Sequence, residues 1–240
     1  RDVVSAGAFS SCVLGTERKR ASKRSGDDVV FFLPEEMQIL LSLPNRQTIC
    51  GRRDVVLMSF LYASGARAQE LCDLTANDVT FGVETRVRLV GKGSKARRIV
   101  IPNECADLLR VHFKQAGLFY GDKNRHVFSS QRNEHMTISC VEEVVSKYVN
   151  MAKKLHPGLF QQKAYTPHAF RHTIAVDMLA CGCSLPAIKA FLGQSTMIYA
   201  TVTSDQANKI LRERGLPAKL PAPEKEKGDE KTDVIWFLRE

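Results

Sequence analysis

Residues 166–173, Thr-Pro-His-Ala-Phe-Arg-His-Thr, put His168, Arg171 and His172 at i, i+3 and i+4 where a helical pattern begins. The spacing sets His168 and Arg171 on one face, and a cation beside a titratable imidazole at a helix N-terminus can hold an oxyanion or a phosphate. It equally suits a histidine satisfied by backbone and an arginine in an ion pair. Two further cations sit at turns. Arg67 follows Ser64-Gly65-Ala66 and stands three residues before Glu70, which favours an ion pair along a helix. Lys92 lies between Gly91 and Gly93, as the tip of a hairpin does. Taken singly, each is compatible with a structural role.

These side chains need elements to carry them. From Leu33 the pattern is helical: Pro34 suits the first turn, Glu35 and Glu36 complement its dipole, and Met37, Leu40 and Leu41 form an apolar stripe. A second helix over about 53–63 is apolar on most sides and predicts burial. After the glycine turn and a short helix, residues 83–102 read as β, with Val87 and Leu89 separated from Val100 and its flanking isoleucines by Gly-Lys-Gly-Ser-Lys. Helical periodicity returns over 104–116, 139–155, 167–180 and 185–192, where Gly182 stops one helix and Ser184 with Pro186 starts the next. The fold expected is α+β, mainly helical, with one small antiparallel sheet.

Composition narrows the partner. The chain has 240 residues, 44% of them hydrophobic, which suffices for a packed core and excludes wholesale disorder and small disulfide scaffolds. Lys and Arg number 35 against 26 Asp and Glu, a formal +9 that favours a polyanion. The last twenty residues hold six acids and four bases, so residues 1–220 carry +11. Residues 1–32 read as a basic linker or the end of a missing upstream domain. Arg18, Lys19 and Arg20 within it either follow a phosphate backbone or belong to a solvated linker. Residues 33–214 form the main domain. At 215–240 a Pro- and charge-rich linker leads to the abruptly apolar segment Asp233-Val234-Ile235-Trp236-Phe237-Leu238. Seven cysteines without a C-x-x-C pair suit reduced thiols in a cytosol-like compartment, with Cys181 and Cys183 as buried small hydrophobes. No apolar run approaches a membrane span, so no membrane partner is expected. The chain opens on Arg1 rather than Met, from which a piece of a longer protein is expected.

Order changes the weight of these pieces. Ala-Ser-Gly-Ala-Arg67-Ala-Gln-Glu70-Leu, Gly-Lys92-Gly-Ser-Lys95-Ala-Arg97-Arg, Thr-Pro-His168-Ala-Phe-Arg171-His172-Thr, Phe-Leu-Gly193 and Met-Ile-Tyr199-Ala follow one another over about 33–208. Together they resemble the catalytic domain of the tyrosine recombinases, the phage integrase family. The resemblance implies a site-specific DNA recombinase of a mobile element or phage, with Tyr199 as the nucleophile that forms a 3′-phosphotyrosyl enzyme. It implies that Arg67 and Arg171 clamp the phosphate oxygens, Lys92 protonates the leaving 5′-oxygen, and His168 assists proton transfer. Glu70 and His172 would support them from behind, and Lys95 and Arg97 would join the linker bases as DNA contacts. Guanidinium groups are permanent cations, so no metal or other cofactor is required. The implied partners are double-stranded DNA and other protomers, which receive the C-terminal tail in a ring-closed assembly. The implied location is the cytoplasm, at the nucleoid. The alternatives are a type IB topoisomerase-like enzyme, which shares the chemistry, and a catalytically inactive DNA-binding regulator, which shares only the fold.

One position departs from the family pattern. The family continues Leu-Gly-His, with that histidine nine residues before the tyrosine, whereas here Gln194 follows Gly193 only five residues before Tyr199. Either Gln194 fills the histidine's place as an amide without acid–base capacity, or four residues are absent between Gly193 and Gln194. Similar family members also exchange a C-terminal segment between protomers; the tail beyond residue 214 suits that exchange or packing on its own domain.

Overall fold

The computed structural model describes residues 29–91, 93, 95–130, 133–162 and 164–193. Seven α-helices are described: α1 (Pro34–Ser42), α2 (Ile49–Ser64), α3 (Ala68–Cys72), α4 (Asn103–Gln115), α5 (Ile138–Leu155), α6 (Pro167–Ala180) and α7 (Leu185–Leu192). Between α3 and α4 lie strands β1 (Val79–Thr80), β2 (Thr85–Val90) and β3 (Ala96–Ile101) in one antiparallel sheet of order β1-β2-β3. The α+β, mainly helical expectation holds. β1 is additional to the hairpin read from the sequence, because two residues carry no periodicity to read.

α2 is the axis of the domain. Twelve of its sixteen residues are buried, and it packs against α6, α4 and α1, as a helix apolar on most sides must. It begins at Ile49, earlier than expected, because Thr48 caps it by accepting from the Gly51 N–H (3.0 Å). Its buried Asp54 accepts from Tyr148 Oη of α5 (2.9 Å) and from the Arg53 guanidinium (2.7 and 3.0 Å), while Tyr62 Oη donates to Asp177 of α6 (2.8 Å). Directional polar ties thus fix α2 to α5 and α6 as apolar burial alone would not.

α1 is fixed by a second buried carboxylate. Glu36 Oε2 accepts from the Leu33 N–H (2.9 Å), and Oε1 from the Phe160 N–H (2.6 Å) and Tyr165 Oη (3.1 Å). Phe160 sits at φ 57°, a left-handed conformation costing a non-glycine residue about 1–3 kcal/mol; the bond to Glu36 helps hold it there. Phe32 stacks on Tyr165 (4.8 Å between centroids), contacts Phe170 (4.9 Å) and gives its N–H to Thr173 (2.9 Å). Phe32 is therefore a core residue, which corrects its assignment to the linker; residues 1–28 and the tail 215–240 lie outside the described residues.

Alternation in the sheet decides which side chains reach inward. Thr85, Val87 and Leu89 of β2 are buried and pair with Ile101, Ile99 and Arg97 of β3. The inward face of β3 thus reads Arg97, Ile99, Ile101. In the α6–α7 turn Cys181 is exposed and Cys183 half-buried, a correction to the expectation of two buried thiols: Gly182 (φ 81°) turns the chain at the surface. Among the described residues no helix is long and apolar enough to cross a membrane.

The Glu36→Ala variant removes an acceptor that serves three donors and leaves buried ones unsatisfied. Urea denaturation is expected to show a loss of about 3 kcal/mol, and Glu36→Gln, which keeps one acceptor oxygen, a smaller one. A loss under about 1 kcal/mol in Glu36→Ala would contradict this role for the carboxylate.

Candidate active site

The end of α2 sets the first arginine. Gly65 caps the helix with φ 56° and returns its N–H to the Leu61 carbonyl (3.1 Å). A Cβ on Gly65 would lie 2.6 Å from Leu192 Cδ2 and 3.0 Å from Ile174 Cγ2, so both backbone conformation and the approach of α6 and α7 require glycine. Two residues later Arg67 occupies the N-cap of α3 in extended conformation. Glu70, three residues on, reaches back: Arg67 N–H donates to Oε2 (2.9 Å) and Arg67 Nη1 to Oε1 (2.8 Å). The expected pairing of Arg67 with Glu70 is present.

A third partner joins this pair. Arg97 donates from Nη1 to Glu70 Oε1 (2.7 Å) and from Nη2 to Oε2 (2.9 Å), with 11% of its side chain exposed against 37% for Arg67. Burial by itself would raise the Glu70 carboxyl, but hydrogen bonds and charge from Arg97 and Arg67 outweigh it and hold the group below its usual range. Arg97, expected as a DNA contact, is turned inward by strand alternation, and its guanidinium is engaged by a buried carboxylate. The signal was in the sequence, since Arg97 shares the parity of Ile99 and Ile101.

Arg171, in the second turn of α6, is 0% exposed. Nη1 donates to the Gly65 carbonyl (2.5 Å) and Nη2 to the Leu192 carbonyl (2.6 Å). Gly65 caps α2 and Leu192 ends α7, so the buried cation sits at the negative dipole ends of two helices, whose terminal carbonyls lack intrahelical partners. That environment makes a buried guanidinium tolerable.

His168 and His172 stand edge to face on α6, 4.6 Å between ring centroids. His168 is exposed as a residue, yet partial desolvation of its ring and the charges of Arg171 and Arg67 lower its pKa from the ordinary value. His172, half-buried, is pushed down to about 4 by desolvation, then by His168 and Arg171. Both are neutral at pH 7, a state in which an imidazole can accept a proton or donate a hydrogen bond. Arg67 and Arg97 thus converge on the Glu70 carboxylate, while Arg171 meets the same turn at the Gly65 carbonyl, with two neutral imidazoles alongside. Such a junction suits an anion such as a phosphate.

The structure brings together Arg67, Glu70, His168, Arg171, His172 and Arg97. Gly91, which precedes Lys92, lies against this group: a Cβ there would be 3.1 Å from Glu70 Oε1 and 3.6 Å from Arg67 Nη1. Lys95 is exposed on the hairpin. Lys92, Gln194, Tyr199, Arg18, Lys19 and Arg20 lie outside the described residues, as does the Gly193–Gln194 link on which the question of four absent residues turns. Among the described residues no group of three His, Cys, Asp or Glu side chains is placed to hold a metal ion.

The phage integrase family model matches residues 31–206, a span containing this whole junction. The chain belongs to the phage integrase family, the tyrosine recombinases. A tyrosine recombinase of Pseudothermotoga lettingae is 31% identical over 194 residues, covering 76% of this chain and 61% of that one. Among solved structures, the XerH site-specific recombinase bound to palindromic difH substrate, in a post-cleavage complex, superposes with a TM-score of 0.65 at 20% identity over 80% of this chain and 54% of that one. The Tn1549 transposon integrase in complex with transposon right-end DNA does so with a TM-score of 0.63 at 20% identity over 81% and 69%. At such identity the structures establish the fold. The chain spans little more than half the length of the curated relatives it matches.

The two imidazoles of this phage integrase family member give a pH prediction. The unfolded chain binds the His172 proton near 6.5 and the folded chain only near about 4, so stability should fall as pH drops through that window and level off below it. Titration of the ring resonances by NMR should show His172 neutral down to about pH 4, and Arg67→Gln should raise His168. A His172 titration at or above 6.5 would contradict the desolvation of its ring and the positive charge beside it.

Proposed function

We propose that this chain is the catalytic part of a site-specific DNA recombinase or integrase of a mobile element or phage. The observation that carries the reading is the turn at Gly65: its carbonyl receives Arg171 while Arg67 follows two residues later, and His168 feels both guanidinium charges. Family membership and the position of Tyr199 within the matched span support it. In this reading the Tyr199 phenolate attacks a scissile DNA phosphorus, a phosphotyrosyl ester forms at the 3′ side, and the bond to the 5′-oxygen breaks. Lys92 gives that oxygen its proton and His168 assists proton transfer at the tyrosine. Arg67 and Arg171 stabilise the charge that develops on the non-bridging oxygens, and Arg171 acts from its seat between two helix ends. A second 5′-hydroxyl reverses the step and joins new strands without an external energy source. Residues 33–214 form the catalytic domain, Lys95 and the linker bases 18–20 meet the phosphate backbone, and the tail beyond 214 engages another protomer on the nucleoid.

Suicide duplexes taken from the ends of the element that encodes the chain, nicked beside the scissile phosphate, test this directly. The full chain should form a covalent 3′ adduct that Tyr199→Phe abolishes and that Arg67→Lys or Arg171→Lys slows by about 10²–10³-fold. Binding measured by fluorescence anisotropy should weaken about 10³-fold between 50 and 200 mM salt, as phosphate contacts dictate. Salt-sensitive binding with no Tyr199-dependent adduct would replace the recombinase by a DNA-binding regulator.

A further inference from the structure

The Arg97 guanidinium lies where β3, α3 and the end of α7 meet. On Glu70 its two Nη atoms take one carboxylate oxygen each, at 2.7 and 2.9 Å, in the fork-on-fork arrangement that suits a guanidinium. Each of those oxygens also receives one donor from Arg67, the side-chain Nη1 on Oε1 and the backbone N–H on Oε2. The carboxylate, 3% exposed as a residue, therefore has four donors, and Arg67 supplies only one of them from its guanidinium. Towards α7, the Arg97 stem fills the space beside Gly193: a Cβ on that glycine would lie 3.0 Å from Arg97 Cδ and 3.3 Å from Nη1, and Gly193 ends α7 at φ 61°. One side chain thus touches both the partner of Arg67 and the point where the chain leaves α7 towards Tyr199.

We infer that Arg97 is a positioning residue of the phosphate site, holding Glu70 so that Arg67 is aimed by one anchored nitrogen rather than drawn wholly onto the carboxylate, and fixing the end of α7 against β3. The inference rests on the recombinase reading. Its physical core is competition: a buried carboxylate needs a cation. With Arg97 absent, the described cation left to Glu70 is Arg67, which then turns its fork to the carboxylate and away from substrate. The charged groups that reach Glu70 among the described residues are Arg67 on its own helix and Arg97 across the sheet, with Gly91 between them on β2's exit. Losing Arg97 removes the larger contribution that keeps the carboxyl ionised, so its pKa climbs. Cleavage in the variant then falls on the acid side at a higher pH than in the unchanged chain, because a neutral Glu70 no longer anchors Arg67.

Arg97→Gln and Arg97→Lys in the full chain, each checked for fold by circular dichroism, separate this role from others. With saturating suicide DNA, Arg97→Gln should slow adduct formation by about 10²-fold, the cost of a misplaced catalytic group, while the Kd for DNA changes less than about 2-fold. Arg97→Lys keeps the charge but meets one oxygen, so it should restore part of the rate and part of the acid-side activity. Should Arg97→Gln not fold, the lysine variant carries the test, and wild-type rate and pH profile in it overturn the inference. A loss of affinity matching the loss of rate, with the salt slope reduced by about one, makes Arg97 a DNA contact and overturns it as well. A fall in melting temperature with rate and pH profile unchanged leaves only a structural ion pair and does the same. If the unchanged chain forms no Tyr199-dependent adduct, the recombinase reading fails and this inference falls with it; if that adduct forms and Arg97→Gln matches it, the positioning role alone is refuted.

Discussion

The seat of Arg171 is the constraint on which the rest of the site depends. A guanidinium with no exposed surface is costly unless its donors are met, and two of them are met by the carbonyls of Gly65 and Leu192. Those carbonyls belong to the ends of α2 and α7, where helix dipoles present negative charge and unused acceptors. A single side chain on α6 therefore needs two helix ends in one place. Because Gly65 also begins the turn to Arg67, satisfying the buried cation simultaneously places the second one. The small apolar cluster of Ala175, Ile188 and Leu192 supplies the packing that lets α7 hold its carbonyl there.

Around that seat, charge is arranged by depth. Glu70 and Arg97 form an inner pair, closed off from water by the sheet and the end of α7, while Arg67 shares the same carboxylate but keeps a larger exposed surface. Ion pairs at the surface contribute little and are easily exchanged. Buried ones are held because breaking them strands a charge. The inner pair is thus the fixed reference, and the outer arginine is the more exposed of the two on that carboxylate. His168 and His172 are kept neutral first by desolvation and then by the positive charges beside them, so the charge around the turn rests on the arginines.

Rigidity comes from farther away. Asp54 and Tyr62 bind α2 to α5 and α6, and Glu36 ties α1 to Phe160 and Tyr165 across the ring cluster of Phe32 and Phe170. These bonds cross more than ninety residues of sequence in each case, and they restrain the relative movement of helices whose ends carry the arginines.

The sequence by itself determined the helices with strong caps and periodicity, the hairpin, the order of the motifs and the pairing of Arg67 with Glu70, because each is written in residues a few positions apart. Local spacing cannot say where a side chain meets a distant one. That Phe32 joins the core was hidden because its partners, Tyr165 and Phe170, lie far along the chain. That Arg97 faces inward was half written: strand parity pointed it to the core, but a charge there needs a partner, and Glu70 is 27 residues away. Only the tertiary structure decided that Arg171 would be enclosed by carbonyls rather than paired at the surface. The ends of α2 and α7 become acceptors for it when packing brings them together, and no short-range pattern encodes that meeting.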